Sequence, residues 1–180
     1  ILPGKYVDHT HADGVLALVD QPDSEARVRE ALGDALFVPY VMPGFALAKR
    51  VAELLAALPP GGPEPGVMVL DKHGIFTWGD TAEESFARML EAVTRATRYV
   101  DEHRKERVLH LVPAPSAERI VRSLPVLRGA LGRVSGMPWI ASLRTNDATL
   151  RFAERADAAE LLARGPVTPD HVLRTKGVPL

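Results

Sequence analysis

The sequence predicts a mixed α/β domain, and three observations carry the prediction. Short runs rich in β-branched and aromatic residues, such as Val67-Met68-Val69-Leu70 and Ile75-Phe76-Thr77-Trp78, have the length and composition of strands. They alternate with longer stretches whose apolar residues recur at helical spacing, of which Leu47, Val51, Leu54, Leu55 and Leu58 are the clearest. A chain of 180 residues, 46% hydrophobic and 25% charged, is also long enough to bury one substantial core.

Taken in order, residues 5–9 read as the first strand. The apolar stretch Ala12 to Val19 could extend it, but its small and unbranched residues favour a short helix. Asp20, or less readily Ser24, is placed to cap a second helix over Glu25 to Leu32, which Gly33 ends. Ala35 to Val41 reads as a strand, and Pro39 marks it as an edge or an end because proline donates nothing to a ladder. Pro43-Gly44 opens a long helix from Phe45 to Leu58. Pro59 to Gly66, with four prolines and three glycines in eight residues, is a rigid loop. The two runs on either side of Asp71-Lys72-His73-Gly74 form a hairpin whose turn carries a histidine. Thr81 and Glu84 make a capping box for a helix reaching about Glu102, with Phe86, Met89, Leu90, Val93 and Ala96 on its inner face.

Beyond a soft boundary near 108 the pattern loosens. Residues 108–115 are irregular, and Ser116 to Leu131 is helical but interrupted by Pro125, which kinks or ends a helix. Residues 136–144 are a candidate strand, and one or two short helices follow between Asn146 and Arg164. A last helical turn is capped by Thr168 with Pro169 at its first position. Residues 1–107 are thus expected to form the core, and residues 108–180 a helical extension of the same domain.

Composition narrows the function. With 22 Lys and Arg against 23 Asp and Glu, the formal charge of −1 lacks the basic footprint of a nucleic-acid binder. The expected partners are a small molecule and further copies of the chain. No cysteine is present, so disulfides and thiolate metal sites are excluded and any metal must sit on nitrogen and oxygen, in keeping with a cytoplasmic setting. No apolar run approaches the roughly 20 residues of a spanning helix. The start, Ile1-Leu2-Pro3-Gly4, has no initiator methionine, so the chain reads as part of something longer.

The stretch Val7-Asp8-His9-Thr10-His11-Ala12-Asp13 carries the first chemical signal. Side chains two apart on a strand point to one face, so His9 and His11 aim their rings at a common point. Such a pair is either two histidines satisfied by ordinary hydrogen bonds or half of a metal site, and a catalytic site needs a third ligand. His73 at the hairpin turn is the third histidine, and Gly74 beside it lets backbone or ligand come close.

Together, V-D-H-T-H-A-D and L-D-K-H-G-I-F-T-W-G-D-T-A-E-E-S resemble the class II aldolase family, the zinc enzymes that include fuculose-phosphate and rhamnulose-phosphate aldolases and ribulose-phosphate 4-epimerase. The intervening V-P-Y-V-M-P-G-F-A-L-A-K and the closing G-P-V-T-P-D-H-V-L-R-T-K are most similar to the aldolase half of bifunctional aldolase/short-chain dehydrogenase proteins. The resemblance implies a three-layer α/β/α sandwich with a mainly antiparallel central sheet, and a homotetramer. It also implies one zinc ion held by His9, His11 and His73, and cleavage of a ketose 1-phosphate, L-rhamnulose 1-phosphate, to dihydroxyacetone phosphate and lactaldehyde. The family's catalytic glutamate lies ahead of H-x-H and its phosphate-binding loops further upstream, so the resemblance places both outside this sequence. An epimerase or dehydratase on the same metal platform, and a module that binds metal without catalysis, remain alternatives.

Other residues carry weaker signals. Asp8 points away from His9 in an extended strand and reads as a local hydrogen-bonding residue rather than the missing base. Arg174 and Lys176, near His171, are candidates for a substrate phosphate against the simpler reading of a solvated tail. His103 and His110 sit among charges and read as surface residues, while Trp78 and Trp139 read as core or interface aromatics.

Overall fold

The computed structural model describes residues 2–104, 117–144 and 146–175. Four strands form its one sheet: β1 (Tyr6–Thr10), β2 (Leu36–Val38), β3 (Val67–Leu70) and β4 (Gly74–Gly79), in the order β1-β4-β3-β2. β3 and β4 are the expected hairpin, and β1 lies antiparallel to β4 with His9 opposite Phe76 and Thr10 opposite Ile75. β2 runs parallel to β3, so the sheet is mixed, not mainly antiparallel. The cause is the connection. Between β2 and β3 the chain passes through α3 (Phe45–Ala56) and the proline-rich loop, and such a crossover returns it to start the next strand in the same direction. β2 is an edge strand and stops at Val38, the residue before Pro39.

Alternation along the strands sorts the core onto the two faces of the sheet. Val69 and Ile75 join Val15, Leu16, Leu18 and Val19 of α1 (Asp13–Val19) and Val28 and Leu32 of α2 (Ser24–Leu32). Met89, Ala92 and Ala96 of α4 (Ala82–His103) complete that cluster. On the other face Met68, Leu70, Val38 and Trp78 pack against Leu47 and Val51 of α3. Trp78 is 1% exposed, as its reading as a core aromatic expects, and its indole N–H donates to Glu64 at 3.1 Å, tying the proline-rich loop to the core.

Three local readings need correction. Neither Asp20 nor Ser24 caps α2; Asp20 follows the last turn of α1 and Asp23 is the N-cap residue, its carboxylate taken by Arg27 Nε at 2.7 Å instead of by the helix backbone. The inner face of α4 is Ser85, Met89, Ala92 and Ala96, whereas Phe86 and Leu90 are 56% and 53% exposed. Small residues let this helix lie close to its neighbours: a Cβ on Gly14 of α1 would fall 2.5 Å from Thr97 Oγ1. The stripe therefore follows Ser and Ala, not the largest apolar side chains. At the start of α4, Thr81 Oγ1 accepts the Glu84 N–H at 3.1 Å, but the Glu84 carboxylate returns to the N–H of Asp80 at 2.9 Å, one residue earlier than a reciprocal box.

A buried polar chain joins β4, α4 and β1. Thr77 Oγ1 donates to the Ser85 carbonyl at 2.9 Å, and Ser85 Oγ donates to Asp8 Oδ2 at 2.6 Å. Thr77 and Ser85 are fully buried, so these bonds satisfy groups that water cannot reach.

The chain divides into two compact units, and the described residues up to 104 share the first with 166–175, which contain α8 (Pro169–Thr175). The second holds α5 (Ala117–Ser135), α6 (Asp147–Ala153) and α7 (Ala158–Ala163). α5 runs through Pro125 and ends at Gly136, whose φ of +70° suits a residue without a side chain. Residues 137–144 form no ladder among the described residues, against the expected strand, and Trp139 is 45% exposed with its indole donating to Ser135 Oγ at 2.6 Å. The stretch 108–115 lies outside the described residues. Among the described residues no helix is long and apolar enough to cross a membrane.

The rotated stripe of α4 gives a direct check by denaturant unfolding. Met89→Ala is expected to cost about 2–5 kcal/mol, whereas Phe86→Ala should stay within about 0.5 kcal/mol of wild type in the unassociated chain.

Candidate metal centre

The first histidine is held by the sheet. His9 stacks on Phe76, its cross-strand partner, with ring centroids 4.0 Å apart and planes at 13°. Its Nδ1 donates to the Ile75 carbonyl at 2.9 Å. A carbonyl can only accept, so the ring proton sits on Nδ1 and Nε2 carries a bare lone pair. His11 is one residue beyond the strand, and its Nδ1 lies 2.8 Å from Asp170 Oδ2. The carboxylate fixes the same tautomer there. The two Nε2 atoms face each other at 3.1 Å.

The hairpin turn delivers the third. Lys72 takes a left-handed conformation with φ of 55°, and its Nζ donates to the Val19 carbonyl at 3.2 Å. The next residue, His73, places its ring 5.3 Å from that of His9 and 5.2 Å from that of His11, centroid to centroid. His73 Nδ1 is buried with no hydrogen-bond partner. One ligand atom from each of the three rings can be chosen so that all lie within 4.8 Å of one another.

These residues fit a divalent ion of the nitrogen-preferring kind. Two lone pairs facing at 3.1 Å repel unless a proton or cation lies between them. Two nitrogens about 2.05 Å from a tetrahedral zinc ion lie about 3.3 Å apart, close to that spacing. The His73 ring stands beside both, and its buried Nδ1 has no partner, although buried polar atoms call for one.

The electrostatics favour the neutral form of His9 and of His73. Burial pushes His9 below the ordinary 6.5, with His11 adding to the effect and the Ile75 carbonyl and Asp170 opposing it. Burial also lowers His73, helped by His9 and His11. The hydrogen bond from His11 holds the Asp170 carboxyl below its usual range. Neutral imidazole is the form that ligates.

Gly74 makes the arrangement sterically possible. A Cβ at this position would lie 2.6 Å from the Thr10 carbonyl oxygen, 3.0 Å from His11 Cδ2 and 3.4 Å from His9 Cε1. The residue after the third histidine is thus where strand and rings come closest.

Of the other candidates, Asp8 faces Ser85 and not the histidines, as its local reading expects. His171 is exposed and hydrogen-bonded to Thr168 Oγ1, and Arg174 is exposed on the last turn of α8. His103 stacks on Tyr99 at the exposed end of α4. Lys176 and His110 lie outside the described residues. Sequence reasoning missed Asp170. It stands 159 residues from His11, and its signal, a carboxylate after Thr168-Pro169 at a helix start, reads as an ordinary first-turn residue.

Comparison with known proteins adds the following. The class II aldolase and adducin N-terminal domain profile matches residues 3–100, and the profile described as aldolase class II, second domain, matches residues 118–180. An uncharacterized oxidoreductase, YuxG, of Bacillus subtilis (strain 168) is 31% identical over 187 aligned positions, covering 99% of this chain and 26% of the relative. The chain thus spans about a quarter of the length of that relative. The structure of the N-terminal class II aldolase domain of a conserved protein from Thermoplasma acidophilum is 35% identical, with a TM-score of 0.47 over 55% of this chain and 44% of that one. An aldolase II superfamily protein from Pseudomonas syringae is 21% identical, with a TM-score of 0.42 over 71% and 56% of the two chains.

Gly74→Ala should leave a folded protein whose affinity for zinc falls at least about tenfold, since the Thr10 carbonyl and the His11 ring beside it must shift to admit the methyl group; isothermal titration checks this, and wild-type affinity would refute the steric role. In metal-free protein, stability should be full above pH 6.5 and fall as pH drops from 6.5 toward the lowered pKa values of His9 and His73. The unfolded chain takes up protons there that the folded rings refuse. Melting temperatures measured across that window should decline, and less steeply in His73→Gln.

Proposed function

The chain belongs to the class II aldolase family, and from that premise we propose that it is the ion-binding part of a metal-dependent aldolase that cleaves a ketose 1-phosphate. The observation that carries the proposal is the convergence of His9, His11 and His73, with the first two tautomers pinned so that bare nitrogens face one another. The substrate we assign is L-rhamnulose 1-phosphate, with dihydroxyacetone phosphate and lactaldehyde as products, and the ion is zinc.

When bound, such an ion would supply a Lewis acid for negative charge that develops on substrate oxygen during carbon–carbon cleavage. The protein's contribution is positional. Phe76 and the Ile75 carbonyl hold the His9 ring, and His9, His11 and His73 would hold the ion through imidazole nitrogens, which bring no negative charge of their own. Asp8 is occupied by Ser85 and is not the proton carrier; that role we give to a glutamate outside this sequence. Helices on both faces of the sheet support the α/β/α reading, and exposed Phe86 and Leu90 offer apolar surface for a homo-oligomer. The relative of which this chain spans 26% is named an oxidoreductase, which suits a parent protein whose dehydrogenase part acts on the released aldehyde.

Protein purified without added metal should contain roughly one zinc per chain, and His9→Ala, His11→Ala or His73→Ala should each remove most of it, as elemental analysis will read. The parent protein should release dihydroxyacetone phosphate from L-rhamnulose 1-phosphate in a coupled assay. Inactivity there with interconversion of pentulose phosphates would move the assignment to an epimerase.

A further inference from the structure

We propose that Asp170 is a positioning residue whose carboxylate, by accepting the His11 Nδ1–H, both orients that ligand and fastens α8 to the metal centre, so that ion binding and docking of the C-terminal segment are one coupled event. The inference rests on the reading of His9, His11 and His73 as ion ligands. Its own support is the geometry of α8. Residues 170–174 are all exposed, and a hydrogen bond from His11 at 2.8 Å ties this helix to the β1 end of the sheet. The apolar Val172 and Leu173 of this helix are 51% and 82% exposed, so they do little to hold it in place.

The coupling follows from the two ends of one imidazole. With Asp170 present, Nδ1 carries the proton and Nε2 is bare, facing His9 Nε2 at 3.1 Å. Without it, the ring can rotate and either nitrogen can carry the proton, so an ion must first select the right tautomer and orientation. Carboxylates behind ligating histidines are typically worth about 10- to 100-fold in metal affinity. By reciprocity, an ion that holds Nε2 stiffens the ring and polarises Nδ1–H, which tightens the grip on Asp170. Pro169 and Thr168 assist by fixing the start of the helix, where the His171 N–H is bonded to the Thr168 carbonyl at 3.2 Å. Arg174, on the same short helix, is carried with it.

The test uses the full chain and zinc as the probe. In wild type, zinc should slow amide hydrogen exchange across 169–175 and should bind with one site per chain. Asp170→Ala should lower zinc affinity about 10- to 100-fold while keeping one site at saturation, and zinc should no longer protect 169–175. Asp170→Asn, whose amide oxygen can still accept from Nδ1, should recover part of both effects. His73→Ala, which loses the ion but keeps the Asp170 contact, should show exchange across 169–175 that zinc does not change. Wild-type affinity in Asp170→Ala, or exchange in 169–175 indifferent to zinc in a protein that binds it, overturns the proposal and leaves the three-histidine site standing. Failure of wild type to bind zinc removes both.

Discussion

Position 74 has no side chain, and the candidate centre depends on that absence. There the end of the first strand lies against the start of β4, with the Thr10 carbonyl 2.6 Å from where a methyl group would stand. The antiparallel pairing of β1 with β4 can then continue to its last pair, Thr10 with Ile75, and bring the histidine after the strand beside the one in the turn. A ladder that ended two residues sooner would leave His9 without its stacking partner and His11 without a fixed direction. Backbone packing here decides what the side chains can do.

The opposite side of the same strand explains why Asp8, next to His9 in the chain, does not join the histidines. Strand alternation sends Asp8 toward α4, where the Ser85 hydroxyl takes its carboxylate. Ser85 is itself tied to Thr77, so the charge is bound into a packed helix contact and is kept from the ligand set. Neutral ligands on one face and a fixed carboxylate on the other are both consequences of period two. The only carboxylate hydrogen-bonded to the three rings among the described residues arrives from elsewhere in the chain, behind a ligand and not beside the ion position.

Much of this was readable before the structure, for identifiable reasons. The hairpin around His73, the same-face placement of His9 and His11 and the edge character of the strand before Pro39 are local statements about strand geometry, and local rules settle them. The direction of β2 was not readable, since it depends on where a long crossover returns. The inner face of α4 was misread because spacing alone favours Phe86 and Leu90, whereas close packing against Gly14 selects Ser85, Ala92 and Ala96. The strand expected near 140 lacked a partner, and a run of apolar residues has no ladder by itself. Asp170 was out of reach for a further reason: contacts between residues 159 apart leave no periodic trace in one sequence.

Because α8 follows the second unit in the chain but folds with the first, the centre is finished out of order. All three histidines have been added once residue 73 is made, and Asp170 is added 97 residues later (170 − 73). At synthesis rates of about 5–20 residues per second the interval is roughly 5–20 s. During that time a nascent chain displays the three imidazoles with no carboxylate behind His11. On the proposed coupling, a newly made molecule therefore holds its three histidines in a looser form until α8 docks.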